Sequence, residues 1–437
     1  DRGGVEVSGL GRRIEPFRAL MYNRQLTGEP ARVVAPPYDL IGAARQNQLY
    51  ERSPYNVVRL ELARETDRYG AAEKTLADWL AAGVLERPAR PAIFQYTQTF
   101  DVEDRLLHRT GFIARVRLEE FDRGRIVPHE KTFPAAKEDR LRLLTALQIN
   151  TSSIFGLYSG AHPELDRLRD RVAAREPLID LVDDLGIRNE LRSIEAGAEI
   201  AIIQRELEAP RILIADGHHR YETALNYRRA RRHENASREP EPCDYTMMTL
   251  VACDDPGLVI LPTHRVVKSL PAEAIATFTQ RAREAFNVDE IAHRDEFRAR
   301  LNDSGAGAIG VALKGIPNYL ILRLRGKSAM EAALPDAPAE VRGLDVSVLH
   351  ALVFDRIFGL RADEIRKGGN IEYTIEIGGA LGAVAGGHAD GAFLMNPPSI
   401  QDVERVSDAG ATMPEKSTYF HPKLLTGLVM NPLFDDK

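Results

Sequence analysis

Apolar positions recur at helical spacing over residues 71–85, where Ala72, Leu76, Trp79, Leu80 and Val84 are separated by polar residues. The pattern predicts an amphipathic helix with Trp79 in the core. Residues 92–96 and 111–118 have strand composition and flank a polar stretch at 101–109, so they predict an antiparallel hairpin. Upstream, Val33-Val34-Ala35-Pro36-Pro37-Tyr38-Asp39-Leu40 is barred from helix because each proline holds its predecessor extended. It reads as a strand end entering a turn.

Residues 126–133 are polar in their middle and read as a loop, followed by a strong helix at 137–147 and a strand at 152–158. A short buried strand at 211–215 runs directly into Asp216-Gly217-His218-His219-Arg220 and a helix reaching about Arg232. Two strands follow at 246–252 and 258–267, the second carrying Pro262-Thr263-His264-Arg265. Beyond them the pattern predicts a helix from near Pro271, a strand pair at 308–312 and 319–324, and a mostly apolar, buried helix at 344–360. The chain returns to polar sequence at 413–423, pinned by Pro414 and Pro422. Interleaved strands and helices predict an α/β chain with an α+β mixed sheet. Three segments follow: an N-terminal α/β lobe over 1–120, a phosphate-binding core over 121–270, and a C-terminal α/β lobe over 271–437 that lends a polar tail to the site.

Composition narrows the function classes. With 437 residues, 44% hydrophobic and 28% charged, the chain can bury two or three lobes. It has no apolar run long enough to span a membrane and no leader-like start, which predicts a soluble cytoplasmic protein. Cys243 and Cys253 match no redox or zinc spacing. The net charge of −6 argues against a nucleic-acid partner, and Arg228-Arg229-Ala230-Arg231-Arg232 reads as a solvated helix end. The expected partner is a small-molecule substrate, with no membrane and no nucleic acid.

The strand, glycine turn and helix at 211–232 carry the clearest chemistry, because open α/β sheets bind ligands where a strand's carboxyl end meets a helix. Gly217 allows close approach of a phosphate, the helix start supplies free amides, and His218, His219 and Arg220 add side-chain donors. Asp216 has three roles open to it: holding a divalent ion shared with phosphate oxygens, capping the helix, or orienting a histidine. His129-Glu130-Lys131-Thr132 sets a carboxylate in a basic loop, and Glu130 is a candidate base for a substrate hydroxyl. The chain has ten lysines among its 58 basic residues, and Lys131, Lys137, Lys416 and Lys423 all lie in or beside the polar, proline-flanked segments. Their placement suggests point-charge contacts to phosphate. His264, Arg265 and His421 are candidates to complete a cationic pocket.

Ala35-Pro36-Pro37-Tyr38-Asp39, His129-Glu130-Lys131-Thr132, Ala215-Asp216-Gly217-His218-His219-Arg220-Tyr221, Leu261-Pro262-Thr263-His264-Arg265 and Met413-Pro414-Glu415-Lys416-Ser417-Thr418-Tyr419-Phe420 together resemble domain-of-unknown-function family 1015. The Asp-Gly-His-His-Arg string is also similar to the signature of the ParB/sulfiredoxin fold, as it occurs in free serine kinases. That resemblance implies a ParB/sulfiredoxin-like central core with additional N- and C-terminal lobes. It implies phosphoryl transfer from ADP, ATP or pyrophosphate, with Mg²⁺, to the hydroxyl of free L-serine or a similar acceptor. Asp216, Gly217, His218, His219 and Arg220 would then serve the donor phosphates, joined by Lys131 and Lys416, with Glu130, Asp216 and His219 catalytic and Asp216 at the metal. His129, His264, Arg265, Tyr38, Asp39, Ser417 and Lys423 would line the pocket. The competing expectation is a ParB-like nucleotide-binding switch without kinase activity. Sulfiredoxin-type chemistry would need a cysteine beside the turn, and both cysteines lie beyond the following helix.

Overall fold

Glu103 and Asp104 both adopt left-handed backbone, with φ of 51° and 60°, and so close a two-residue hairpin turn. The hairpin therefore runs through the polar stretch read as its loop, as strands Ile93–Val102 (β2) and Arg105–Arg117 (β3). Its outer half is polar because those side chains pair across the strands: Thr97 with Thr110 at 3.1 Å and Thr99 with His108 at 2.9 Å. The computed structural model describes residues 11–130, 134–234, 239–361 and 369–434. They form two packed units, one from the described parts of 1–128, 132–258 and 422–437, the other from those of 129–131 and 259–421.

The first unit is built on a mixed nine-stranded sheet. Its remaining strands are Ile14–Glu15 (β1), Ile126–Pro128 (β4), Ile154–Tyr158 (β5), Ile179–Val182 (β6), Arg188–Ile194 (β7), Ile212–Asp216 (β8) and Tyr245–Ala252 (β9). The order is β4-β8-β5-β9-β3-β2-β7-β6, with β1 on β3. Strands β5 and β9 are buried throughout and pair in parallel, consistent with their continuous apolar character. Strand β4 corrects the loop expected at 126–133: Ile126, Val127 and Pro128 pair in parallel with Ile212, Leu213 and Ile214. The proline is tolerated because β4 is at the sheet's edge.

Helices Arg68–Ala81 (α1), Pro134–Leu147 (α2) and His218–Glu234 (α3) pack in sequence, α1 on α2 and α2 on α3. Trp79 joins Leu76, Leu143 and Met430 in the core, as its helical spacing predicts. The segment at 33–40 forms no strand beyond one bridge from Ala35 to Thr426; Tyr38–Leu40 is a 3₁₀ turn.

The second unit holds a six-stranded antiparallel sheet. The single strand expected at 258–267 is two, Val259–Leu261 (β10) and His264–Val267 (β11), because Pro262 has no N–H to continue a ladder. β10 pairs instead with Tyr419–His421, while β11 enters the larger sheet between Gly391–Met395 and Ile371–Thr374. The strand pair expected near 308–324 is present as Ala308–Leu313 and Tyr319–Leu324. Phe297, Leu301, Ile321, Leu381 and Leu394 fill the core of this unit. The helix expected at 344–360 is one α-turn, Asp345–Val348, that widens into a π-helix over Leu349–Asp355. Among the described residues no helix is long and apolar enough to cross a membrane.

Candidate functional site

Strand β8 shifts register against β5 between Ile214 and Asp216, a bulge that re-aims the last residue of the strand. Gly217 follows with φ +92°, and a Cβ there would lie 3.0 Å from the Arg220 guanidinium. Only glycine suits this position, since an added side chain would meet both strained backbone and a neighbour. Helix α3 then starts at His218, which is buried, with His219 half-buried behind it.

Asp216 is the electrostatic centre of this junction. Its Oδ1 accepts from Lys423 Nζ at 2.6 Å and its Oδ2 from Arg220 Nη2 at 3.0 Å. Burial alone would raise its carboxyl, but Lys423, Arg220, the Lys423 hydrogen bond and His218 together hold it well below the ordinary range. Arg220 is further engaged, its Nη1 donating to Ser152 Oγ at 2.8 Å and to Ser153 O at 2.7 Å. With both oxygens taken by cations, Asp216 as placed is an anchor for positive charge and a poor fit for the divalent ion expected there. Among the described residues no group of three or more His, Cys, Asp or Glu could hold a metal ion.

Lys423 is itself positioned from the sheet. Gln98 Nε2 donates to Lys423 O at 3.1 Å, and the fully buried Arg109 donates to Gln98 Oε1 and Pro422 O while lying 4.6 Å over the Phe155 ring. Burial pushes the Arg109 guanidinium down to about 10. Beside the turn, Tyr38, Glu61, Arg140, Ser152, Arg220 and Thr223 line a cavity of about 50 Å³. Arg140 lies 4.1 Å over the Tyr38 ring and donates to Glu61 at 2.9 Å. Burial raises the Tyr38 phenol, a shift that Arg140 and Arg220 moderate. Lys137 of α2 pairs with Glu222 of α3 at 2.6 Å. Asp39 is exposed on its 3₁₀ turn.

The remaining expected residues gather in the second unit. His129 is fully buried; its Nε2 lies 2.8 Å from Thr418 Oγ1, and its ring packs edge-on to Phe420. Thr418 donates to Glu130 Oε1 from its backbone N–H at 3.4 Å and from its hydroxyl at 3.2 Å. The hydroxyl can satisfy both partners by accepting from His129 and donating to Glu130. Met413 N–H donates to His129 O at 2.7 Å and Ser417 Oγ to Pro414 O, which fixes the 413–418 loop. Lys416 is exposed, with left-handed backbone at φ 54°, and its carbonyl accepts from Arg265 Nη2 at 3.0 Å.

Arg265 is buried, and that burial pushes its guanidinium down to about 10. It braces the loop from below. His264 is also buried, its Nδ1 accepting from Met395 N–H at 3.1 Å; burial, then Arg265, push its imidazole down to about 4. His264 therefore acts as a neutral strand acceptor. Lys131 lies outside the described residues, as does Thr132. Sequence reasoning missed Ser152, Ser153, Gln98, Arg109, Glu61, Arg140 and Thr418. Of these, only Thr418 lay in a segment whose composition stood out. Both cysteines are free thiols, and burial followed by Asp244 and Glu241 pushes Cys243 up to about 11.

Residues 14–347 match the family described as "Protein of unknown function (DUF1015)". No curated protein matches the chain. Among solved structures it is similar to a conserved hypothetical protein from Pyrococcus furiosus, at 14% identity over 68% of this chain and 87% of that one, with a TM-score of 0.33. It is also similar to a free serine kinase in complex with AMP, at 12% identity over 68% and 84% of the two chains, TM-score 0.32. A third is SbnI with C-terminal truncation from Staphylococcus aureus, at 12% identity over 72% and 85%, TM-score 0.34. At these scores the likenesses do not bear on activity.

Proposed function

This chain belongs to the DUF1015 family, whose description names no function, and from that premise we propose that it is a small-molecule kinase. It transfers a phosphoryl group from ADP, ATP or pyrophosphate to the hydroxyl of free L-serine or a similar small acceptor. The observation that carries this reading is the junction at Gly217, where a side-chain-free turn, the start of α3 and the Lys423 and Arg220 cations surround Asp216. Backbone amides at a helix start and a nearby ammonium suit a phosphate.

In the proposed reaction the donor phosphate approaches Gly217 and the α3 amides, and Lys423 shifts from Asp216 toward its oxygens. The bond between the transferred phosphorus and the leaving phosphate oxygen breaks as a bond to the acceptor oxygen forms. The acceptor proton passes to a carboxylate, for which Glu130 is proposed, with Thr418 and His129 orienting it. His219 is proposed to meet charge on the transferred group, and Tyr38 to bound the acceptor pocket. Magnesium would arrive with the phosphoryl donor as part of the substrate.

Phosphorus NMR on the purified chain with serine, Mg²⁺ and each of ADP, ATP and pyrophosphate tests the proposal. Phosphoserine should appear with at least one donor and vanish in Asp216→Asn. If none of the donors yields phosphoserine, the serine assignment fails. If nucleotide nevertheless binds and no hydroxylated acceptor is phosphorylated, a nucleotide-binding switch replaces the kinase.

A further inference from the structure

The second unit contains a cavity of about 760 Å³, within the usual size of small-molecule sites. One wall is a bed of methyl groups from Ala329, Ala332 and Ala333 on the helix Ser328–Ala333. Further lining comes from the π-helix Leu349–Asp355, a rare backbone form that is frequent at functional sites. Ser347 lines the cavity at 2% exposure, and its Oγ has no hydrogen-bond partner among the described residues. A buried hydroxyl left unpaired is destabilising. A ligand acceptor atom would remove that cost.

The charges in the lining select the ligand class. Asp355, Arg356 and Glu415 all line the cavity, and Arg356 pairs with Glu284 at 3.2 Å, so the lining is acidic on balance. Tyr373 adds a phenol to the lining. The site thus combines an apolar bed, one buried hydroxyl and an acidic lining.

We propose that this cavity binds a small amphipathic organic cation, with its apolar body on the alanine wall, an acceptor atom on Ser347 and its amine toward Asp355 and Glu415. The proposal does not depend on kinase activity. Its occupant would touch Met413, whose N–H is bonded to His129 O.

The test is a fluorescence titration of the full chain with monodansylcadaverine, which carries a naphthalene body, sulfonamide oxygens and a primary amine. The anionic probe anilinonaphthalene sulfonate is the comparison. Wild type should bind the amine saturably and the anion at least about tenfold more weakly, and Asp355→Asn should narrow that gap by several-fold. Ala333→Trp and, separately, Ala332→Trp fill the cavity from exposed helix positions where folding is undisturbed, and either should weaken amine binding about tenfold or more. Circular dichroism confirms that each variant is folded. Absence of saturable amine binding, tighter binding of the anion, or unchanged binding in both folded tryptophan variants would overturn the proposal.

Discussion

Two carboxylates, one in each unit, show how differently the same group can be used. Asp216 sits between an ammonium and a guanidinium, each bonded to a different oxygen. Glu130 meets a threonine N–H and hydroxyl on a single oxygen, with a buried imidazole 3.6 Å away. The first arrangement fixes charge and geometry at a turn. The second joins a carboxylate, a hydroxyl and a ring nitrogen, the components of a proton relay. Cations therefore identify Asp216 as an anchor, and exchangeable protons mark Glu130 as the better proposed base.

The sharpest way to break this contrast is Asp216→Asn. It leaves Lys423 and Arg220 without their shared anion, and should destabilise the first unit by roughly 2–3 kcal/mol and lower phosphorylation by about a hundredfold or more. Urea unfolding and phosphorus NMR read the two effects. Since Asp216 ionises more readily folded than unfolded, its contribution is complete above the ordinary carboxylate range and fades as pH falls below about 4. The asparagine variant should lose that part of the acid sensitivity; an unchanged acid limb would show that the ion pairs are not stabilising.

The second unit should respond to acid sooner. His264 is neutral and accepts from Met395, and its imidazole falls from 6.5 to about 4 on folding, so its contribution is present above 6.5 and is lost as pH drops toward 4. On the order of 3 kcal/mol is at stake. Hydrogen exchange should show loosening of strand His264–Val267 between pH 6.5 and 4, and His264→Gln should flatten that dependence. Equal protection across this range would remove the distinction between the units.

Gly217→Ala probes the turn without changing charge. A left-handed φ and a guanidinium 3.0 Å from the new Cβ predict a loss of about 1–3 kcal/mol and weaker donor binding, measurable by calorimetry. The smallest effect belongs to Thr418→Val, which removes one bridging hydroxyl. About 1 kcal/mol of stability and a shifted pH profile of activity are expected, with the profile restored by Thr418→Ser. An unaltered profile would dissociate Thr418 from the proposed base.

The legible parts of the molecule were those whose physics is local. The strand, glycine and helix around Asp216 announce themselves because buried strand, turn and helix are contiguous, and Trp79 because its helix is periodic. What surrounds Asp216 was harder to see. Ser152, Gln98 and Arg109 come from separate strands or strand entries, and nothing in their own neighbourhoods marks them. Lys423 stands out only through the scarcity of lysine, because its partner lies 207 residues earlier. The polar residues at 101–109 imitate a loop because the cross-strand hydroxyl pairs that absorb polar side chains of the hairpin leave no local mark. The π-helix at Leu349–Asp355 leaves the apolar pattern of an ordinary helix intact and was invisible for that reason.

The return of residues 422–434 to the first unit has a consequence for synthesis. A ribosome releases the nine-stranded sheet long before it releases the lysine that neutralises Asp216. In the interval, the whole 259–421 stretch emerges and can pack on its own core. Asp216 must therefore wait for its main counter-charge, so a nascent chain stopped before residue 422 should carry an assembled turn with the wrong electrostatics. The segment that carries Lys423 would act as a completion signal for the first unit, switching the site on only after the whole second unit has been made.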